Sequence, residues 1–174
     1  MKSKLIAALT ALTFLAAPAG WAHEPIWDAN KVILKSQKLS NGVYAMVPTN
    51  ADQLSPKGVP LATTSGIIMG SRGSLVVDTM LNKRLADMVL SEARRLSKGA
   101  PTYAVNTSYH GDHSYGNMYF PKSTVIIQHE ETKNYISTKF EADTKFMIGA
   151  FGKGRGIEQI KPRAGDVLIP KGGM

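Results

Sequence analysis

Apolar and polar residues alternate with the period of β-strands over the first part of the chain. Asn41-Gly42 separates two of these β-prone runs and is the dipeptide most typical of a tight hairpin turn. A second pair of runs is joined by a short turn with glycine at both ends. The pattern predicts four strands at 32–39, 43–47, 63–69 and 74–78, with a polar surface loop at 50–60.

The period becomes helical after residue 80. Five apolar residues then fall on one helical face: Leu81, Leu85, Met88, Val89 and Leu96. Gly99 and Pro101 are expected to end this helix. Later runs predict strands at 102–105, 123–127, 157–160 and 167–169, and helices at 130–138 and 143–151. This order predicts one mixed sheet with helices on one face.

The first 22 residues have the pattern of a secretory signal peptide. Lys2 and Lys4 precede an apolar run of 13 residues at 5–17, and small residues flank the tryptophan of 20–22. The run is too short to span a bilayer, which takes roughly 20 apolar residues. We therefore expect cleavage before His23, a mature domain at 23–174 without a membrane anchor, and a periplasmic or secreted bacterial protein.

Composition narrows the possible functions of the 174-residue chain. With no cysteine, it has no disulfide, no thiolate zinc ligand and no cysteine nucleophile. The formal net charge is +8, but the basic residues are scattered along the sequence. Together with the expected export, this scatter argues against a nucleic-acid partner and favours a small-molecule substrate. The sequence does not predict an oligomeric state.

The chemistry concentrates in the segment 106–117, which follows the predicted strand 102–105. His110, Asp112 and His113 place two imidazoles and a carboxylate within four residues. These donors suit Zn²⁺, and also Fe or Mn. Gly111 allows a tight turn, so that nearby donors can face one cavity. The alternative is a polar loop with two incidental histidines.

This segment resembles the His-x-His-x-Asp-His signature of the metallo-β-lactamase superfamily. The preceding Val77-Asp78-Thr79, the Asn106-Thr107 pair and the Gly116-Asn117 pair are also typical of that family. The resemblance runs from about residue 32 to residue 174. It implies an α/β fold, the αββα sandwich, and a hydrolase with one or two zinc ions. A metal-bound hydroxide would attack an ester, thioester or amide (lactam) bond.

Roles carry over from the family at matching positions. His110 would bind the first zinc, and Asp112 and His113 the second. We also assign a catalytic role to Asp112. Asp78 matches the family aspartate that supports the metal loop by hydrogen bonds; the alternative is a residue that ends a strand and caps the next helix. His129, the next histidine in the chain, is not expected to be a ligand.

Two departures from the family pattern bear on activity. Ser108 stands where the family has its first histidine, and a hydroxyl is a poor zinc ligand. It could act through a water, or mark a site that binds metal weakly. The sequence also stops before the family's third histidine, so we expect only the N-terminal half of the sandwich, with one sheet face uncovered. The alternatives to a hydrolase are a ligand-binding protein and a non-functional remnant.

Overall fold

The structure is a computed structural model that describes residues 28–54, 62–100 and 102–173. Its strands form one seven-stranded sheet in the order β1 to β7. The strands are β1 Leu34–Ser40, β2 Val43–Pro48, β3 Ser65–Gly70, β4 Gly73–Val77, β5 Thr102–Val105, β6 Val125–His129 and β7 Val167–Ile169. The predicted signal peptide lies outside the described residues.

The first four strands form an antiparallel meander, as the alternation predicts. Asn41-Gly42 makes the turn between β1 and β2, with Gly42 at φ 75°, a conformation open to glycine at no steric cost. The remaining strands run parallel from β4 to β7. Each parallel step needs a crossover, and helices supply the first and the last of them.

Helix α2 (Lys83–Leu96) connects β4 to β5. Its N-cap is Asn82, whose side chain accepts a hydrogen bond from the backbone N–H of Leu85. Leu81, which the helical pattern included, therefore lies before the helix, where it is still buried. The predicted stop is confirmed, since the helix ends at Leu96 and Gly99 has φ 83°.

Two predictions for the second half were wrong. The helices expected at 130–138 and 143–151 are one continuous helix, α4 (Glu130–Phe151), because nothing between them is a glycine or proline that would break it. The strand expected at 157–160 is a loop that buries Ile157 and Ile160 in the core. The polar loop at 50–60 begins with one short helical turn, α1 (Ala51–Leu54), and its residues 55–61 lie outside the described ranges.

The two faces of the sheet differ in burial. Alternate strand residues pack into the core with Leu85 and Val89 of α2 and Ile136 of α4; these strand residues are Ile67, Val76, Ala104 and Ile126. The opposite face has partly exposed apolar residues: Ile68, Tyr103 and Val167 are each about two-fifths exposed. The expected uncovered face is thus seen in the described residues. No helix within those residues is long and apolar enough to cross a membrane.

Candidate metal-loop site

The chemistry-bearing segment starts where β5 ends, at the carboxyl edge of the parallel strands. It contains the short helical turn α3 (Gly111–Ser114) and a 3₁₀ turn (Tyr115–Tyr119). We call residues 106–117 the metal loop. Gly116 is required here, since a Cβ atom at that position would overlap the backbone carbonyl of Thr79. The loop therefore packs directly against the end of β4.

Asp78, at the end of β4, holds two residues of the metal loop. Its Oδ1 accepts the backbone N–H of Thr107 at 2.8 Å, and its Oδ2 accepts the Thr107 hydroxyl at 2.8 Å. The same Oδ2 lies 2.8 Å from Nδ1 of His113. Asp78 is buried and has φ 63°, a left-handed conformation that aspartate tolerates better than most residues. Asp78 thus joins the end of β4 to both Thr107 and His113 of the metal loop.

The contact with Asp78 also sets the electronic state of His113. The hydrogen bond raises the pKa of the imidazole above its ordinary value, while partial burial acts in the opposite direction. An ionised carboxylate can only accept, so Nδ1 of His113 carries the proton. This leaves the lone pair of Nε2 free to bind a metal when the ring is neutral.

The main chain of His113 is anchored as firmly as its ring. Its carbonyl oxygen accepts from the backbone N–H of Thr79 at 2.8 Å, from the Thr79 hydroxyl at 3.3 Å and from the amide of Asn106 at 3.0 Å. The Asn106 and Asn117 side chains also bond to each other. Fully buried Gln128 on β6 donates to Asn106 Oδ1 at 2.7 Å and accepts the Gly165 N–H.

The other end of the loop is held differently. The hydroxyl of Ser108 accepts a hydrogen bond from the backbone N–H of His110 at 3.2 Å. The exposed ring of His110 lies 4.4 Å from the ring of Tyr109, centre to centre, and no described residue hydrogen-bonds to it. Ser108 thus closes a local turn.

Asp112 and His113 present two donors at a separation that suits zinc. His113 Nε2 lies 3.5 Å from Asp112 Oδ2. Two ligands at about 2.1 Å from a tetrahedral ion lie about 3.4 Å apart. His110 faces the same cavity, with its ring centre 6.5 Å from that of His113. Yet no three His, Asp or Glu side chains among the described residues gather into a group that could hold an ion. The residues present fit part of a zinc site.

A cavity of about 420 Å³ opens over the loop. Its lining residues come from the loop, from α4 and from the segments that lead into β3 and α2: Thr63, Leu81, His110, Gly111, Asp112, His113, Asp143, Phe146, Met147 and Phe151. Tyr115 donates its hydroxyl proton to Asp143 Oδ2 at 2.7 Å. Burial raises the pKa of Tyr115 above its ordinary range, and the Asp143 contact raises it further. The phenol therefore stays protonated and keeps the Asp143 carboxylate in place.

The family model of the metallo-beta-lactamase superfamily matches residues 58–167, and the chain belongs to that superfamily. The matched segment includes the metal loop and Asp78. No curated protein sequence matches the chain.

The chain is similar to solved structures of metallo-beta-lactamases. The DIM-1 metallo-beta-lactamase exposed to ceftazidime superposes with a TM-score of 0.55 at 13% identity, over 80% of this chain and 53% of that one. The mono-zinc form of FIM-1 from Pseudomonas aeruginosa gives a TM-score of 0.48 at 18% identity, over 63% and 46%. The Erythrobacter litoralis enzyme with beta mercaptoethanol in its active site gives 0.49 at 17%, over 59% and 44%. The chain spans about half the length of these structures.

The structure brings Asp78, Asp112 and His113 together and places His110 at the edge of the same cavity. It places Ser108 in a backbone turn. Their functional roles stay predictions. Sequence reasoning missed Gln128. A polar residue within an apolar strand was the available signal for it. It also missed that Asp143, Phe146 and Met147 line the cavity. Their position over the loop depends on α4 being one continuous helix, whereas the sequence predicted two.

Proposed function

We propose that this chain carries the metal loop of an exported metal-dependent hydrolase that cleaves an ester, thioester or amide bond. The observation that carries the proposal is the 3.5 Å separation between His113 Nε2 and Asp112 Oδ2, at the floor of the cavity. It is the spacing of two ligands on one zinc ion. A bound zinc would supply Lewis-acid chemistry at the carbonyl of the scissile bond.

The chain's own residues prepare this site. His113 and Asp112 would hold one ion, and His110, which lines the same cavity, would be a ligand of the other zinc position. Asp78 fixes the ring of His113, and Thr79 and Asn106 fix its carbonyl. At least one more donor than the described residues bring to the loop is needed for a closed site. We expect that donor from outside the described ranges, and we expect export from the predicted signal peptide.

Zinc retention tests this proposal before any substrate is known. The 174-residue chain is dialysed after zinc loading, and its zinc content is measured beside that of His113→Ala and Asp112→Asn. We expect the unsubstituted chain to retain more zinc than either variant, because each variant removes one of the two donors of the Asp112–His113 pair. The matched control is His129→Asn, because His129 lies outside the loop and asparagine can replace it as the N-cap of α4. Equal zinc content in all four proteins would contradict the proposal.

Hydrolysis is the second readout. A zinc-loaded chain is offered a 4-nitrophenyl ester, a thioester and a cephalosporin, each with and without a chelator. We expect turnover of at least one of them, with loss of that turnover in chelator. Absence of turnover at full zinc occupancy would contradict the hydrolase.

A ligand-binding protein on the same scaffold is the second candidate. Two observations favour it: Ser108 bonds to the backbone instead of facing the cavity as a metal donor, and no three-donor group forms among the described residues. On this account the cavity binds a small molecule without cleaving it. A chain that loses zinc on dialysis, and still binds small molecules in the cavity, would support this candidate.

A further inference from the structure

The cavity over the metal loop has two chemically different ends. At one end lie the loop's imidazoles and the Asp112 carboxylate. The other end is formed by α4, which contributes Phe146, Met147 and Phe151. At about 420 Å³ the cavity is large enough for a small organic molecule, since ligand sites begin near 300 Å³. A molecule that fills this cavity contacts both the loop and the apolar wall that these α4 side chains form.

Phe146 is the unusual member of that wall. Its side chain is 68% exposed although it lines the cavity, whereas neighbouring Met147 is buried in the core. An exposed phenylalanine contributes little to folding, and its ring offers a stacking surface to a bound ring. Gly111 lies below, with the ring of Tyr115 and the methyl group of Met147 so close that a Cβ atom would touch both. The floor between wall and loop is thus tightly packed.

Charge at the α4 end comes from Asp143. Its carboxylate accepts the Tyr115 hydroxyl and lines the cavity within one helical turn of Phe146 and Met147. No lysine or arginine is among the described residues that line the cavity. A carboxylate beside an apolar wall, without a lining cation, disfavours an anionic group and accepts a neutral or cationic one.

We infer that the α4 end of the cavity is a specificity subsite for an apolar, non-anionic group of the substrate, such as an aromatic or short alkyl acyl group. Phe146 and Met147 contact that group, and the Asp143 carboxylate disfavours an anionic group there. This inference adds a specificity to the proposed hydrolase. It rests on that proposed function only in that the bound molecule is called a substrate. The subsite would favour an ester or amide whose acyl group is neutral and apolar over one whose acyl group is acidic.

Binding of three matched probes tests this without hydrolysis. Benzyl alcohol, benzylammonium and benzoate share one ring and differ in charge. Each is titrated into the full chain in chelator, so that benzoate cannot bind a metal, and amide shifts of α4 are followed by NMR. We expect saturable shifts at 146 and 147 with benzyl alcohol and benzylammonium, and binding of benzoate about three- to tenfold weaker. Equal or tighter binding of benzoate would overturn the inference, as would the absence of shifts with benzyl alcohol.

Substitutions at two positions locate the effect. Phe146→Ala should weaken the binding of benzyl alcohol about two- to tenfold, and Phe146→Leu should weaken it less. Asp143→Asn should raise the affinity for benzoate to nearly that for benzyl alcohol. The control is Leu39→Ala, at a mostly exposed apolar residue on β1, the strand at the far edge of the sheet. Unchanged binding in Phe146→Ala would overturn the inference. Because the probes are not cleaved and no metal is present, a failed hydrolysis assay leaves this result unaffected.

Discussion

The two ends of the metal loop are built differently. At the later end, His113 is held at its ring by Asp78 and at its carbonyl by Thr79 and Asn106. At the earlier end, His110 is exposed and Ser108 is used in a local turn. We call the later end, which these hydrogen bonds hold, the rigid end, and the earlier end, where the ring of His110 is exposed, the open end. The difference suggests one prepared metal position, centred on Asp112 and His113.

The largest effect is expected from Gly116→Ala, which pushes the loop away from β4. The new methyl group would overlap the Thr79 carbonyl, so the free energy of unfolding should fall by about 3 kcal/mol. Chemical denaturation measures this. Gly149→Ala in α4 is the control: nothing lies near its added methyl group, and the change should be neutral or stabilise the helix by about 0.5–1 kcal/mol. Similar losses in both variants would show that the loop does not depend on this contact.

The second effect comes from the buried amides. Gln128→Leu removes the donor to Asn106 and the acceptor of the Gly165 N–H, and should cost about 2 kcal/mol of unfolding free energy. Exposed Gln159→Leu should change it by less than about 0.5 kcal/mol. If Gln128→Leu were as stable as Gln159→Leu in the same denaturation assay, the network would not stabilise the base of the loop.

Asp78→Asn tests the rigid end more locally. Asparagine tolerates the left-handed backbone, but it cannot accept all three hydrogen bonds that the carboxylate accepts. Zinc affinity, measured by competition with a chromophoric chelator, should fall about tenfold. Asp87→Asn, on the exposed surface of α2, should leave the affinity unchanged. An unchanged affinity in Asp78→Asn would remove Asp78 from the metal site.

The smallest effect is expected at the open end. Ser108→Ala loses one partly exposed hydrogen bond, to the N–H of His110, and should cost about 0.5 kcal/mol. Zinc retention should not change, because the hydroxyl is engaged by the backbone. Ser137→Ala, on the exposed side of α4, provides the baseline. Loss of zinc in Ser108→Ala alone would show that this hydroxyl helps to hold the ion.

The sequence predicted much of the fold because its signals are local. Asn41-Gly42 fixes one turn, Gly99 follows the end of α2, and the β-prone runs place most of the strands. It failed where tertiary packing decides: the apolar residues of 157–160 are buried in a loop, and α4 continues through a stretch of mixed polarity. Helix continuity there follows from the absence of a breaker, a weaker signal than a cap.

The site was predictable to a similar extent. A short motif placed His110, Asp112 and His113 on one loop, and the family pattern pointed to Asp78. The anchoring of His113 by Thr79 and Asn106 could not be read from spacing, because those contacts join residues 34 and 7 positions apart. The apolar side chains of α4 that line the cavity could not be placed from the sequence, because their position depends on α4 being one continuous helix. Long-range contacts are what local patterns omit.

The difference between the two histidines is measured most directly by ¹⁵N NMR of the imidazoles in the metal-free chain. His113→Asn assigns the signals. At a pH above the raised pKa of His113, where its ring is neutral, we predict a single His113 tautomer that is protonated at Nδ1 and held by Asp78. His110 should be a mixture dominated by the form protonated at Nε2. Added zinc should then shift Nε2 of His113. A His113 ring that exchanges between tautomers as His110 does, or that is protonated at Nε2, would contradict a prepared metal position.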